Sequence, residues 1–214
     1  MSSPSNPVFS GLAFGEPVNT NARAHQAMDR GSQFLAELDR LSTEVEIVYR
    51  TLVLPGWLGP NHGMPDTLYG YMMGTFARID LLSAYWRGTF KEPSERMVSF
   101  MTEYMSTQRD ANSLAVQFWR HKLMHTSAPR ELQDRVSGLT YRWLLHWGDE
   151  HLPREQHFKF QSGGANLNLS LIGLLENTRQ AASVYRAQLN RLPQLIQNYD
   201  AIATELSTYE IRIL

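Results

Sequence analysis

Arg120 and His125 stand five residues apart in the stretch "FWRHKLMHTSAPR", residues 118–130, with His121 and Lys122 between them. Those residue types suit phosphodiester chemistry. A histidine, with an unperturbed pKa of about 6.5, can take the proton of an RNA 2′-hydroxyl or return one to a leaving oxygen near neutral pH. A guanidinium can donate two parallel hydrogen bonds to phosphorane oxygens and offset charge as it develops there. On this reading Arg120 stabilises the phosphate, His125 is the general acid or base, and His121 orients or binds phosphate. Lys122 and Arg130 hold the substrate backbone.

Geometry sets a condition on that pairing. On a regular helix, five residues at about 100° each leave two side chains roughly 140° apart. Arg120 and His125 converge only if His125 lies beyond the last helical turn. Pro129 requires the helix to end between His125 and Ala128. The negative end of the helix dipole would there favour a protonated imidazole.

Two other readings use the same residues. Five of the seven histidines fall between positions 121 and 157, namely His121, His125, His146, His151 and His157. His121 and His125 have the i, i+4 spacing of a zinc-binding helix, with Asp149, Glu150, His146 or His151 to complete a shell. Lys122, however, stands where a metalloprotease helix carries its glutamate, and a cation between two ligands opposes a divalent ion. No metal and no cofactor are therefore expected. The plainer reading is that Arg, Lys and His complement the last carbonyls of a helix.

The elements that must position this stretch are legible from periodicity. Residues 1–20, rich in Ser, Pro, Asn and Gly, read as an irregular arm. Asn19 or Thr20 then caps a long helix whose apolar stripe is Phe34, Leu35, Leu38, Leu41, Val45, Val48 and Leu52. "LPGWLGPNHGMP" is a loop. A second helix opens at Asp66 or Thr67 and ends at Gly88; Leu68, Met72, Phe76, Ile79, Leu82, Tyr85 and Trp86 run nearly all round it, which marks a central helix. "KEPSE" supplies a proline and a capping serine for "RMVSFMTEYM", and "ANSLAVQFWRHKLMH" follows, with Leu114, Phe118 and Leu123 inward. The alternation in "TYRWLLHW", "QHFKFQ" and "ANLNLSLI", around the "SGG" turn, predicts a small β-hairpin near 140–170. Two more helices close the chain, separated at Pro193 and ending near residue 207. Residues 21–214 thus read as a single helical-bundle domain with a minor β element.

Composition narrows the function classes. The chain has 214 residues, 43% apolar and 19% charged, which suits one domain with a real core. A net charge of −1 leaves no global field toward nucleic acid or anionic membrane, so RNA binding requires a local patch. Residues 120–142 supply one, with five basic side chains against two acidic ones. The absence of cysteine excludes disulfides, thiolate metal sites and thiol nucleophiles. No stretch reads as a secretory leader or membrane span, and a cytoplasmic location is expected. Trp119, Tyr141, Trp143 and Trp147 have the faces to stack on bases, but aromatics of this kind more often fill a core. The methionines of the central helices are adaptable packing. "SGG" at 162–164 lacks the lysine of a phosphate loop.

Residues 75–130 resemble the HEPN superfamily of helical proteins. Its ribonuclease members carry an arginine followed after four to six residues by a histidine, commonly with a polar residue after the arginine. Arg120, His121 and His125 match that pattern, and "FARIDLLSAYWRG", "RMVSFMTEYM" and "LAVQFWRHKLMHTSAPR" are similar to the helices that approach it. The resemblance implies an all-α, HEPN-like bundle acting as a homodimer. Two copies of the motif would face each other across a two-fold axis and cut RNA without metal, leaving a 2′,3′-cyclic phosphate. It also implies a role in bacterial defence or a toxin system, with an antitoxin or other regulatory partner. The chain departs from the toxin subgroup at Ser127, where those proteins have a modifiable tyrosine, and the region from Thr140 onward exceeds the minimal domain. Members without activity serve as interaction or ligand-binding modules, the alternative expectation for this chain.

Overall fold

The computed structural model describes residues 20–55, 64–123, 131–148, 152, 156–161, 164–189 and 191–207. The arm expected at 1–20 lies outside this set apart from Thr20, as do His125, Arg130, Asp149, Glu150 and His151. Among the described residues six α-helices carry the fold: α1 (Thr20–Val48), α2 (Met64–Arg87), α3 (Pro93–Tyr104), α4 (Arg109–Gln117), α5 (Leu171–Leu189) and α6 (Pro193–Ser207). Short π-helical segments extend α1 over Tyr49–Val53 and α4 over Phe118–Leu123. Among the described residues no helix is long and apolar enough to cross a membrane.

The centre is α2, as its all-round apolar pattern predicts. Met72, Phe76 and Ile79 have no exposed surface, and α2 packs against α3, α5 and α6. Along α1, Leu38 and Val45 are fully buried, and Phe34, Leu35, Leu41 and Val48 pack on the core from its edge. Leu52, expected on the same stripe, is 40% exposed. The π-helical segment accounts for the difference: its i→i+5 hydrogen bonding widens the turn, so a stripe spaced for 3.6 residues rotates away from the core.

Gly88 ends α2 as its position predicts. It adopts φ 74°, and its N–H donates to Ala84 O at 2.7 Å. Asn198 on α6 covers the same helix end, donating from Nδ2 to Trp86 O at 2.5 Å. A Cβ at position 88 would come within 2.8 Å of Asn198 Oδ1, so glycine is required for approach as well as for conformation. The start of α3 differs from expectation. Pro93 occupies its first turn and Glu92, at φ 49°, precedes it; no side chain caps the helix there.

Arg96 fastens α3 to α2. It falls on the buried face of α3 with Met97, Phe100 and Tyr104 and is 4% exposed. Its Nε donates to Ser83 Oγ at 2.9 Å, and Nη1 donates to Thr89 O at 2.9 Å and Lys91 O at 3.3 Å. Nη2 pairs with the Asp80 carboxylate. Burial lowers the Arg96 pKa from its ordinary value, and the Asp80 carboxylate opposes that shift. The guanidinium thus spans α2, the 88–92 turn and α3.

The β region is larger than the expected hairpin and partly of different topology. Three strands, β1 (Leu132–Gln133), β2 (Thr140–His146) and β3 (Asn166–Ser170), lie in the order β1-β2-β3. β1 and β2 are antiparallel, whereas β2 and β3 are parallel, in register from Arg142 opposite Asn166 to His146 opposite Ser170. Alternation marks a strand without fixing its partner or direction, which is why the parallel pairing was not anticipated. A short antiparallel pairing does form at the "SGG" turn. Phe160 bridges Leu167, Asn168 N donates to Lys159 O at 3.0 Å, and Gly164 takes φ 82°.

β3 runs directly into α5, and Ser170 serves both. Its backbone N–H donates to His157 Nδ1 at 3.0 Å, while its Oγ accepts the Gly173 N–H at 3.1 Å as a helix cap. The His157 ring rests on Gly173, where a Cβ would come within 2.9 Å of it. Buried residues of all six helices and of the sheet belong together, in one core for the first five helices, β2, β3 and Leu195 and Tyr199 of α6.

Two substitutions test these joints. Arg96→Leu leaves the Asp80 carboxylate, the Ser83 hydroxyl and the carbonyls of Asp80, Thr89 and Lys91 without their donor and is expected to cost about 3 kcal/mol in urea unfolding. Gly173→Ala forces the His157 ring off α5 and is expected to cost about 1–3 kcal/mol in the same measurement.

Candidate functional site

The segment proposed from sequence begins where α4 changes register. Phe118–Leu123 is π-helical, so its hydrogen bonds link residues five apart. The segment contains Arg120 but not His125, which lies outside the described residues. π turns are rare and frequent at functional sites.

Arg120 is half-buried at the inner side of this segment. Its guanidinium carbon lies 5.9 Å from the centroid of the Trp119 ring, a cation–π distance. Trp119 is buried and stacks on Phe76 of α2, centroids 5.7 Å apart and planes at 20°. Among the described residues Arg120 has no carboxylate or hydrogen-bond partner. Its charge is felt at Arg96, where it adds to the lowering that burial begins. The structure thus sets one committed guanidinium, Arg96, near one uncommitted guanidinium, Arg120.

The other expected site residues are placed only in part. His121 and Lys122 follow Arg120 in the π segment, and only their backbone is described. His125 and Arg130 lie outside the described residues, so the structure does not bring Arg120 and His125 together or apart. The same holds for the metal reading, which needs the His121 and His125 rings. His146 and His157 sit at the sheet, and His157 is used structurally through its bond from Ser170.

The basic patch read from residues 120–142 is weaker in space than in sequence. Arg142 is paired with Glu131, Nη2 to Oε2 3.1 Å, at an exposed position. Arg135 sits on the β1–β2 turn beside Asp134, whose carboxyl is held below its ordinary range by bonds from Ser137 and Val136. Asp134 and Arg135 share an open hollow of ≈ 640 Å³ with Asp110 and Gln117 of α4 and with Tyr141 and Phe160. Two carboxylates against one guanidinium do not make this hollow a phosphate site. The expectation that most of the nearby aromatics fill the core holds for Trp119, Trp143 and Trp147, each at most 6% exposed. Phe118 and Trp143 stack with centroids 4.9 Å apart and join α4 to the sheet.

Sequence reasoning missed Arg96. Its signal was present, an arginine inside the apolar stripe of α3, but spacing does not say that Asp80 and Ser83 wait opposite. Comparisons of the chain with family models, curated proteins and solved structures find no match.

Among the described residues Arg120 has no ion pair, and the contact Arg120→Ala removes there is the one with Trp119. The substitution is expected to cost no more than about 1 kcal/mol, read from urea unfolding followed by tryptophan fluorescence. A larger loss would make Arg120 a structural residue.

Proposed function

We propose that this protein is a metal-independent endoribonuclease of HEPN-like type, with Arg120 and His125 as its central pair. The observation that carries the reading is the Arg120 guanidinium, half-buried, without a carboxylate partner among the described residues and set at a π-helical turn. An uncommitted guanidinium beside a second arginine is disposed to accept an anion. The π turn itself adds support, because such turns are rare and frequent at functional sites.

In the proposed reaction one histidine removes the proton from a ribose 2′-hydroxyl, and the 2′-oxygen attacks the adjacent phosphorus. The bond from phosphorus to the 5′-oxygen breaks. The leaving 5′-oxygen takes a proton from a second histidine, and a 2′,3′-cyclic phosphate remains. Arg120 hydrogen-bonds the non-bridging oxygens as charge builds. His125 of each protomer serves as acid or base, His121 orients phosphate, and Lys122 and Arg130 hold the RNA backbone. The reading includes a homodimer in the cytoplasm and a regulatory partner such as an antitoxin.

One observation favours a second reading, a catalytically silent interaction protein. Arg120 rests on Trp119, and Trp119 stacks on Phe76 in the core, so the same guanidinium can serve packing alone.

Cleavage of a labelled RNA in EDTA separates the readings. The nuclease is expected to retain its activity under chelation and to release cyclic-phosphate ends. Arg120→Ala is expected to lower the rate about 100- to 1000-fold, and His125→Ala by about 100-fold or more, with both variants folded by circular dichroism. RNA left intact by the wild-type dimer, or cleavage equal in both variants, would overturn the nuclease reading.

A further inference from the structure

A second feature lies away from the Arg120 segment and is independent of the nuclease reading. Helices α1, α2, α5 and α6 leave between them a cavity of ≈ 160 Å³. Two of its lining residues, Gly31 and Ala182, are small. Tyr85 and Tyr199 form a flat wall, their rings stacked with centroids 5.0 Å apart and planes at 18°. Phe34, Leu82 and Leu189 complete an apolar lining, and the exposed side chains of Gln33 and Glu37 on α1 mark its mouth. Apolar cavities of about 150 Å³ accept a benzene ring.

Tyr185 of this lining carries a buried hydroxyl. Tyr185 is 4% exposed, and its hydroxyl is buried with no hydrogen-bond partner among the described residues. Tyr104, whose ring meets that of Tyr185 edge-on at 6.4 Å, instead donates its hydroxyl to Gln188 Oε1 at 2.5 Å. Burial, with the neighbouring Tyr104, Tyr199 and Tyr85 hydroxyls, raises the Tyr185 pKa, so the group stays a neutral donor and acceptor. A buried hydroxyl left unpaired is costly, and native structures pair such groups in the great majority of cases.

We propose that this cavity is a binding site for a small uncharged aromatic alcohol, a single ring bearing one hydroxyl. The ring lies against the Tyr85–Tyr199 wall, and the ligand hydroxyl pairs with Tyr185 Oη. The apolar lining and Glu37 at the mouth select against a carboxylate of the same size.

Calorimetric titration of the full chain with phenol, toluene and benzoate tests the site. Phenol is expected to bind saturably and more tightly than toluene, and benzoate to bind more weakly than either. Tyr185→Phe is expected to weaken phenol about fivefold, the value of one neutral hydrogen bond, while leaving toluene unchanged. The same variant is expected to keep or raise the melting temperature of the free protein; a lowered one would mean the hydroxyl has a structural partner and would overturn the assignment. Phe34→Trp, at a half-buried position, fills the cavity from α1 and is expected to abolish both phenol and toluene binding. No saturable phenol binding to the wild type, phenol binding indifferent to Tyr185→Phe, or phenol binding that survives Phe34→Trp would each overturn the site. None of these outcomes bears on RNA cleavage.

Discussion

The bundle depends on one buried cation. Arg96 brings a guanidinium into the seam between α2 and α3, where it meets the Asp80 carboxylate, the Ser83 hydroxyl and the carbonyls of Thr89 and Lys91. Its fork of donors suits a place where three stretches of backbone converge, and an ammonium could not reach them all. The turn between Gly88 and Glu92 is held from within by this group and from without by Asn198 of α6. With that corner fixed, α2 is locked in place. The same helix presents Phe76 to Trp119 beneath Arg120 and Leu82 and Tyr85 to the tyrosine-lined cavity. One rigid element therefore supports both candidate sites.

Much of the helical scaffold was legible in sequence because burial writes itself into periodicity. The all-round apolar pattern of α2 marked it as central, Gly88 marked its end, and Pro193 marked the start of α6. The two π-helical segments were not legible. Nothing in "YRTLV" or "FWRHKL" distinguishes i→i+5 from i→i+4 bonding, since packing decides which carbonyl each N–H meets. The first displaced Leu52 from its expected place in the core, and the second sets Arg120 in a π turn. The sheet was half legible. Strand residues and the glycine turn stood out, but the parallel partnership of β2 with β3 is a long-range choice.

The candidate site shows a similar division. Residue types at 120, 121 and 125 announced a chemistry, and the structure supplies the setting of Arg120 alone, a guanidinium on a tryptophan with no ion pair among the described residues. The local charge count overstated the patch, because Arg142 spends its charge on Glu131 and Arg135 sits by Asp134. The tyrosine cavity left no trace in sequence, since Tyr85, Tyr185 and Tyr199 come from three helices and share no spacing. Only the third dimension makes them neighbours.

The parallel alignment of β2 and β3 has a consequence for how the chain reaches this state. Antiparallel neighbours can zip from a tight turn, but two strands pointing the same way must wait until the intervening chain has doubled back. Bringing them together costs chain entropy that no tight turn offsets, so the pairing relies on contacts made elsewhere in the bundle. Ser170, joining β3 to α5, ties the parallel pair to the far half of that bundle.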